Sequence, residues 1–69
     1  MKQIAVLGST GSIGINSLSI IKNYPAQFRV YALVCNKNYK LLSQQVAEFK
    51  PKFVYINNYK ALIKLKKIL

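Results

Sequence analysis

Acidic residues are almost missing from this chain of 69. Glu48 is the only one, it stands against eleven Lys and Arg, and there is no histidine. A carboxylate metal site takes several Asp or Glu ligands. General acid–base catalysis usually draws on His or a second carboxylate. No metal site and no acid–base pair is therefore expected within the chain. Cysteine is equally sparse: Cys35 has no partner for a disulfide, and a lone cysteine without a secretory leader fits a reducing, cytoplasmic setting. No apolar run approaches the ~20 residues that span a bilayer. Met1-Lys2-Gln3 leads straight into a strand pattern, without the apolar stretch of a signal peptide or an Arg/Ser-rich transit segment. A domain of this length buries only about 60% of its unfolded surface, so one domain at most is expected.

What is abundant is positive charge, a formal +10. One reading is an anionic partner: nucleic acid, a membrane surface or a phosphorylated ligand. The other is compositional, because Lys, Asn, Ile and Tyr are frequent together and all four have AT-rich codons. The lysines are scattered and form no stripe before the C-terminus, which favours the compositional reading.

Apolar periodicity divides the chain into six elements. Gln3 to Leu7 reads as a short buried strand with a glycine stop. Ser12 is a candidate N-cap for a helix whose apolar face is expected at Ile13, Ser17, Ile20, Ile21 and Tyr24, with Leu18 at its margin. Asn23-Tyr24-Pro25 ends it, since Pro disfavours the helical region for its predecessor. Arg29 to Val34 is apolar nearly throughout, as in a strand covered on both faces. A second helix runs from about Tyr39 to Lys50, with Leu42, Val46 and Phe49 on one face, and Pro51 stops it. Phe53 to Ile56 is a third strand, and Tyr59 to Leu69 a third helix. The order β-α-β-α-β-α implies an α/β fold with a parallel sheet and right-handed crossovers. It corresponds to a Rossmann-like, mononucleotide-binding half of a doubly wound fold. The last helix stops on Ile68-Leu69 without a cap, so the chain is expected to be the first part of a longer protein or a truncated remnant of one.

The first strand runs directly into Gly8-Ser9-Thr10-Gly11-Ser12-Ile13-Gly14. In a strand–loop–helix setting, Gly8 permits a sharp turn, Gly11 leaves room for a pyrophosphate against the backbone, and Gly14 allows close helix–strand packing. The helix start offers unpaired N–H groups to phosphates, and Ser9, Thr10 and Ser12 add hydroxyl donors. A turn that merely links strand to helix would need one glycine, not three. The spacing is G-x-x-G-x-x-G rather than the commoner G-x-G-x-x-G. NAD-binding halves usually carry Asp or Glu after the second strand, to hold the ribose. Here the place is filled by Cys35-Asn36-Lys37-Asn38. Lys37 would attract a 2′-phosphate that a carboxylate would repel, and the Asn amides can donate to it, which favours NADPH over NADH. On position alone, Lys37 is equally one of many scattered lysines and Asn38 an N-cap of the second helix.

"KQIAVLGSTGSIG" followed by "SL", and then "FRVYALVCNKN", resembles the N-terminus of 1-deoxy-D-xylulose 5-phosphate reductoisomerases, from Lys2 to at least Pro51. The resemblance implies a bacterial, NADPH-dependent oxidoreductase of non-mevalonate isoprenoid synthesis. Its phosphorylated sugar substrate would be rearranged and then reduced to 2-C-methyl-D-erythritol 4-phosphate, with a divalent metal (Mg or Mn) gripping the substrate. Residues 1–69 would be the start of the NADPH-binding domain, and the full-length protein a homodimer. By the same resemblance Thr10, Gly11, Ser12 and Ile13 would contact the cofactor, and the loop at Lys37 and Asn38 would hold the adenosine 2′-phosphate; from the residues themselves, Gly8, Gly14 and Asn36 join the cofactor site. Metal ligands and catalytic residues would lie outside this chain. Asn36 departs from the family's usual Gly, and Ser17 from its Thr. Neither nucleic acid nor membrane is expected as a partner.

Rival readings are a non-catalytic remnant of such a gene and another G-x-x-G-x-x-G protein. A nucleotide-sugar epimerase would carry a Tyr-x-x-x-Lys pair, which Tyr55 to Lys60 does not supply. The C-terminal "YKALIKLKKIL" sets Lys60, Lys64 and Lys67 on one helical face, with Leu62, Leu65 and Leu69 towards another. It reads as a crossover helix with a solvated lysine face, or as an amphipathic helix for a membrane surface or partner.

Overall fold

A computed structural model describes residues 2–69. The order is β1 (Lys2–Leu7), α1 (Ser12–Ile21), β2 (Phe28–Cys35), α2 (Tyr39–Phe49), β3 (Phe53–Ile56) and α3 (Tyr59–Ile68). The strands form one parallel sheet in the order β1-β2-β3, so the two helical crossovers step regularly across it. The α/β alternation and the Rossmann-like half are as the sequence implies.

The β1–β2 register slips by one residue after Ile4, which faces Val30, whereas Ala5 faces Ala32. Tyr31 is the extra residue. It resets the alternation, so that Val30, Leu33 and Cys35 all point to the same side and all are buried. They join Val6 from β1, Ile56 from β3, Leu18 and Ile21 from α1, Leu42 from α2, and Ala61 and Leu65 from α3 in a single core. All three helices therefore lie on one face of the sheet. Among the described residues nothing covers the opposite face, where Leu7, Phe53 and Tyr55 are exposed. The apolar run of β2 predicts cover on both faces, and the structure supplies it on one.

The face of α1 also differs from its periodicity. Gly14, Leu18 and Ile21 are the buried positions, while Ile13, Ile20 and Tyr24 are exposed. Ile13 and Ile20 belong to a second apolar stripe that points away from the core. The helix ends at Ile21, three residues before Tyr24, and the chain then turns through Asn23 N–H to Ile20 O and Tyr24 N–H to Ile21 O. In α3 the buried residues are Ala61 and Leu65, and Leu69 is exposed.

Candidate functional site

Every strand of a parallel sheet ends on the same edge, and here both loops of interest open there. Gly8 follows β1 with a φ of 69°, the left-handed region that favours glycine. The turn brings Ser9 beside the end of β2, where Ser9 N–H donates to Val34 O at 2.9 Å. Gly11 N–H closes back on Gly8 O at 3.0 Å. The first turn of α1 then lies flat on this loop. A Cβ at Gly14 would stand 2.7 Å from Ser9 Cα and inside contact distance of the Gly8 carbonyl oxygen.

Gly11, not Ser12, is the N-cap of α1, and no side chain caps the helix. Ser12 is already helical. The first N–H to turn back is that of Ile15, to Gly11 O at 2.9 Å. The other two helices differ: Asn38 Oδ1 accepts from Leu41 N–H at 3.2 Å, and Asn58 Oδ1 from Ala61 N–H at 2.9 Å. Of the three helix starts, the one at the glycine loop lacks a side-chain cap. Its first-turn amides are the donors that an anion accepts most readily. Gly11 has φ −83° and ψ 173°, angles open to any residue. Its missing side chain therefore keeps space clear rather than freeing the backbone.

Ser9 is wholly buried, Thr10 half-buried, and Ser12 and Ile13 exposed. Of the hydroxyls read as phosphate donors, Ser9 Oγ is shut inside and has no partner among the described residues. The second loop, Asn36-Lys37-Asn38, is exposed and follows β2 directly. Cys35 links the two loops. Burial pushes the Cys35 thiol's pKa up, and this outweighs the lowering influence of the nearby Thr10 side chain and Asn38 backbone. The thiol is thus protonated at neutral pH.

Sequence reasoning missed Gln45. Its Nε2 donates to Ser9 O at 2.7 Å across 36 positions of sequence, and the bond is buried. Half a signal was available: Gln45 interrupts the apolar face of α2 next to Leu42 and Val46, but nothing local points to Ser9 as its partner.

A divalent metal finds no ligand set here. Among the described residues no three His, Cys, Asp or Glu side chains come together, and the Glu48 carboxylate lies 3.9 Å from Lys22 Nζ. A cavity of about 380 Å³ opens between α1, α2 and the start of β2, lined by Ile21, Phe28, Val30 and Phe49. It lies at the other end of the sheet and shares no residue with either loop. No helix among the described residues is long and apolar enough to cross a membrane.

Comparison with known proteins gives a consistent result. The family model of 1-deoxy-D-xylulose 5-phosphate reductoisomerase matches residues 4–69. The reductoisomerase of Proteus mirabilis is 48% identical over 69 residues, which is 100% of this chain and 17% of that protein. That of Buchnera aphidicola subsp. Schizaphis graminum is 51% identical over 67 residues, 97% of this chain and 17% of the relative. That of Shouchella clausii is 52% identical over 56 residues, 81% and 15% respectively. The chain thus spans about one-sixth of the length of the curated relatives it matches.

Proposed function

The chain belongs to the 1-deoxy-D-xylulose 5-phosphate reductoisomerase family, and from that premise we propose that it is the NADPH-binding start of such an enzyme. The whole enzyme would rearrange 1-deoxy-D-xylulose 5-phosphate and reduce it to 2-C-methyl-D-erythritol 4-phosphate. It would act in the cytoplasm, as a homodimer, with a divalent metal held by residues outside this chain. When bound, NADPH supplies the hydride of the reduction. This chain's part is to hold and orient it.

The observation that carries the reading is the uncapped start of α1 set on the glycine loop, beside an exposed loop that offers Lys37 and no carboxylate. Gly11 keeps the approach to the backbone clear, and the amides at Ser12, Ile13 and Gly14 face an anion with the positive end of the helix dipole. Gly8 and Thr10 shape the loop from below. At the second loop Lys37 would pair with the 2′-phosphate. The amide nitrogens of Asn36 and Asn38 would donate to it, while Asn38 Oδ1 stays on Leu41 N–H. Asn38 can serve both roles, because its amide presents an acceptor on one side and two donors on the other.

Lys37→Ala tests this reading. A charge-assisted phosphate contact is worth roughly 1.5–3 kcal/mol, so NADPH affinity should fall about 10- to 100-fold. NADH, which lacks the phosphate, should bind as before. Titration of both cofactors by calorimetry reads the difference. Equal losses for the two would remove Lys37 from the 2′-phosphate site.

A further inference from the structure

We propose that Gln45 is a positioning residue of the cofactor site, one that fixes the Ser9 peptide and with it the path of the glycine loop. Both backbone groups of Ser9 are held from outside the loop. Its N–H donates to Val34 O on β2 at 2.9 Å, and its C=O accepts from Gln45 Nε2 on α2 at 2.7 Å. The first bond continues the sheet ladder and needs no particular side chain. The second depends wholly on Gln45.

Three features separate this contact from ordinary packing. Ser9 is 0% and Gln45 7% exposed, so water cannot replace the donor if it is lost. Among the described residues Gln45 Oε1 and Ser9 Oγ have no hydrogen-bond partner. A polar side chain kept in the core with half its capacity unmet is costly, and its neighbour Leu42 shows what packing alone would select. Finally, α2 is the helix that Asn38 caps, one residue after Lys37. The Gln45 bond therefore ties the pyrophosphate loop to the element that carries the second loop, and sets the separation of the two.

The inference rests on the NADPH reading above, and its test keeps the two apart. Gln45→Met preserves length and removes the donor. Two probes are titrated against the wild-type chain and the variant: NADPH, which needs both loops, and adenosine 2′-monophosphate, which needs only the Lys37 loop. NADPH should bind Gln45→Met about tenfold more weakly, with adenosine 2′-monophosphate unchanged. Unchanged NADPH affinity, or equal weakening of both probes, would overturn the proposal. A wild-type measurement guards against a variant that fails to fold. Saturation with NADPH should move the NMR signals of the Gln45 side-chain amide through the Ser9 carbonyl, and signals that stay put would also overturn it. If the wild-type chain binds no NADPH, the cofactor reading fails. The hold on the loop is then read in the free chain, where Gln45→Met should speed hydrogen exchange at Gly11 N–H about tenfold relative to Leu33 N–H. Equal exchange at Gly11 would dispose of that as well.

Discussion

The three glycines of the loop do different work, and only their spacing is visible in sequence. Gly8 is required by its backbone angle. Gly14 is required by contact, because a methyl there meets the backbone of Gly8 and Ser9, which cannot swing aside as a side chain could. Gly11 is required by neither, since its angles are ordinary and a Cβ would meet only Gly8 O at 3.4 Å. The substitutions should therefore separate stability from binding. Gly14→Ala gains about 1 kcal/mol of helix propensity but must push α1 off the loop, and overpacking of this kind costs about 1–3 kcal/mol or more. Because the clash is with backbone, the cost lies at the top of that range, and a net loss of about 2 kcal/mol is expected in urea unfolding. Gly11→Ala should unfold like the wild type and bind NADPH at least tenfold more weakly, since its methyl would fill the proposed phosphate approach. Loss of stability in Gly11→Ala with binding intact would reverse the two roles. Gln45 was not legible in the same way. A glutamine on an apolar stripe can be read as an exception, but its partner is a backbone carbonyl 36 residues away, and no local pattern points to it.

At the scale of elements, the strands and helices follow from sequence nearly to the residue. Phe53–Ile56 is the third strand as expected, and α2 and α3 begin at Tyr39 and Tyr59. Less legible was which side of α1 faces inward. Its isoleucines fall on two stripes, and the stripe that packs contains Gly14, which adds nothing to a hydrophobic pattern yet lies directly on the glycine loop. Ser12 was misplaced as a cap for a related reason. Cap preference favours Ser over Gly, but the loop leaves its helix start open. Asn38 does cap α2, and this raises the question of whether capping is all it does. Asn38→Asp separates the roles. Aspartate caps as well as asparagine and suits the helix dipole, so thermal stability should hold. It removes the amide donors and sets a carboxylate near the 2′-phosphate, so NADPH affinity should drop at least tenfold while NADH is spared. Asn58→Ala is the control: it should cost about 1 kcal/mol of stability and leave cofactor binding alone. Equal NADPH binding by wild type and Asn38→Asp would reduce Asn38 to a cap.

For the molecule as a whole, the sheet is half covered. The near-continuous apolar run of β2 predicts two covered faces because a central parallel strand is normally buried on both sides. Nothing in a strand's own residues says which chain segment supplies the second layer. On the bare face Leu7 is 76%, Phe53 53% and Tyr55 59% exposed, and Ile13 on the outer side of α1 is 83% exposed. Covering a large apolar side chain contributes about 1.5–3 kcal/mol, so a few such residues give this 69-residue chain a real tendency to pair through that face. Opposing it is a formal charge of +10 on each copy. Salt decides between the two, because repulsion between exposed lysines is screened within ~10 Å at 0.1 M and ~3 Å at 1 M, while apolar contact is not weakened. The 69-residue chain should therefore be monomeric at low ionic strength and associate as salt is raised, by analytical ultracentrifugation. Leu7→Thr with Tyr55→Thr, which keeps β-compatible residues on the strands, should abolish that association and leave the melting temperature within a few degrees. Association that weakens with salt would be ionic rather than apolar, and association that survives the double substitution would place the contact elsewhere than on the bare face of the sheet.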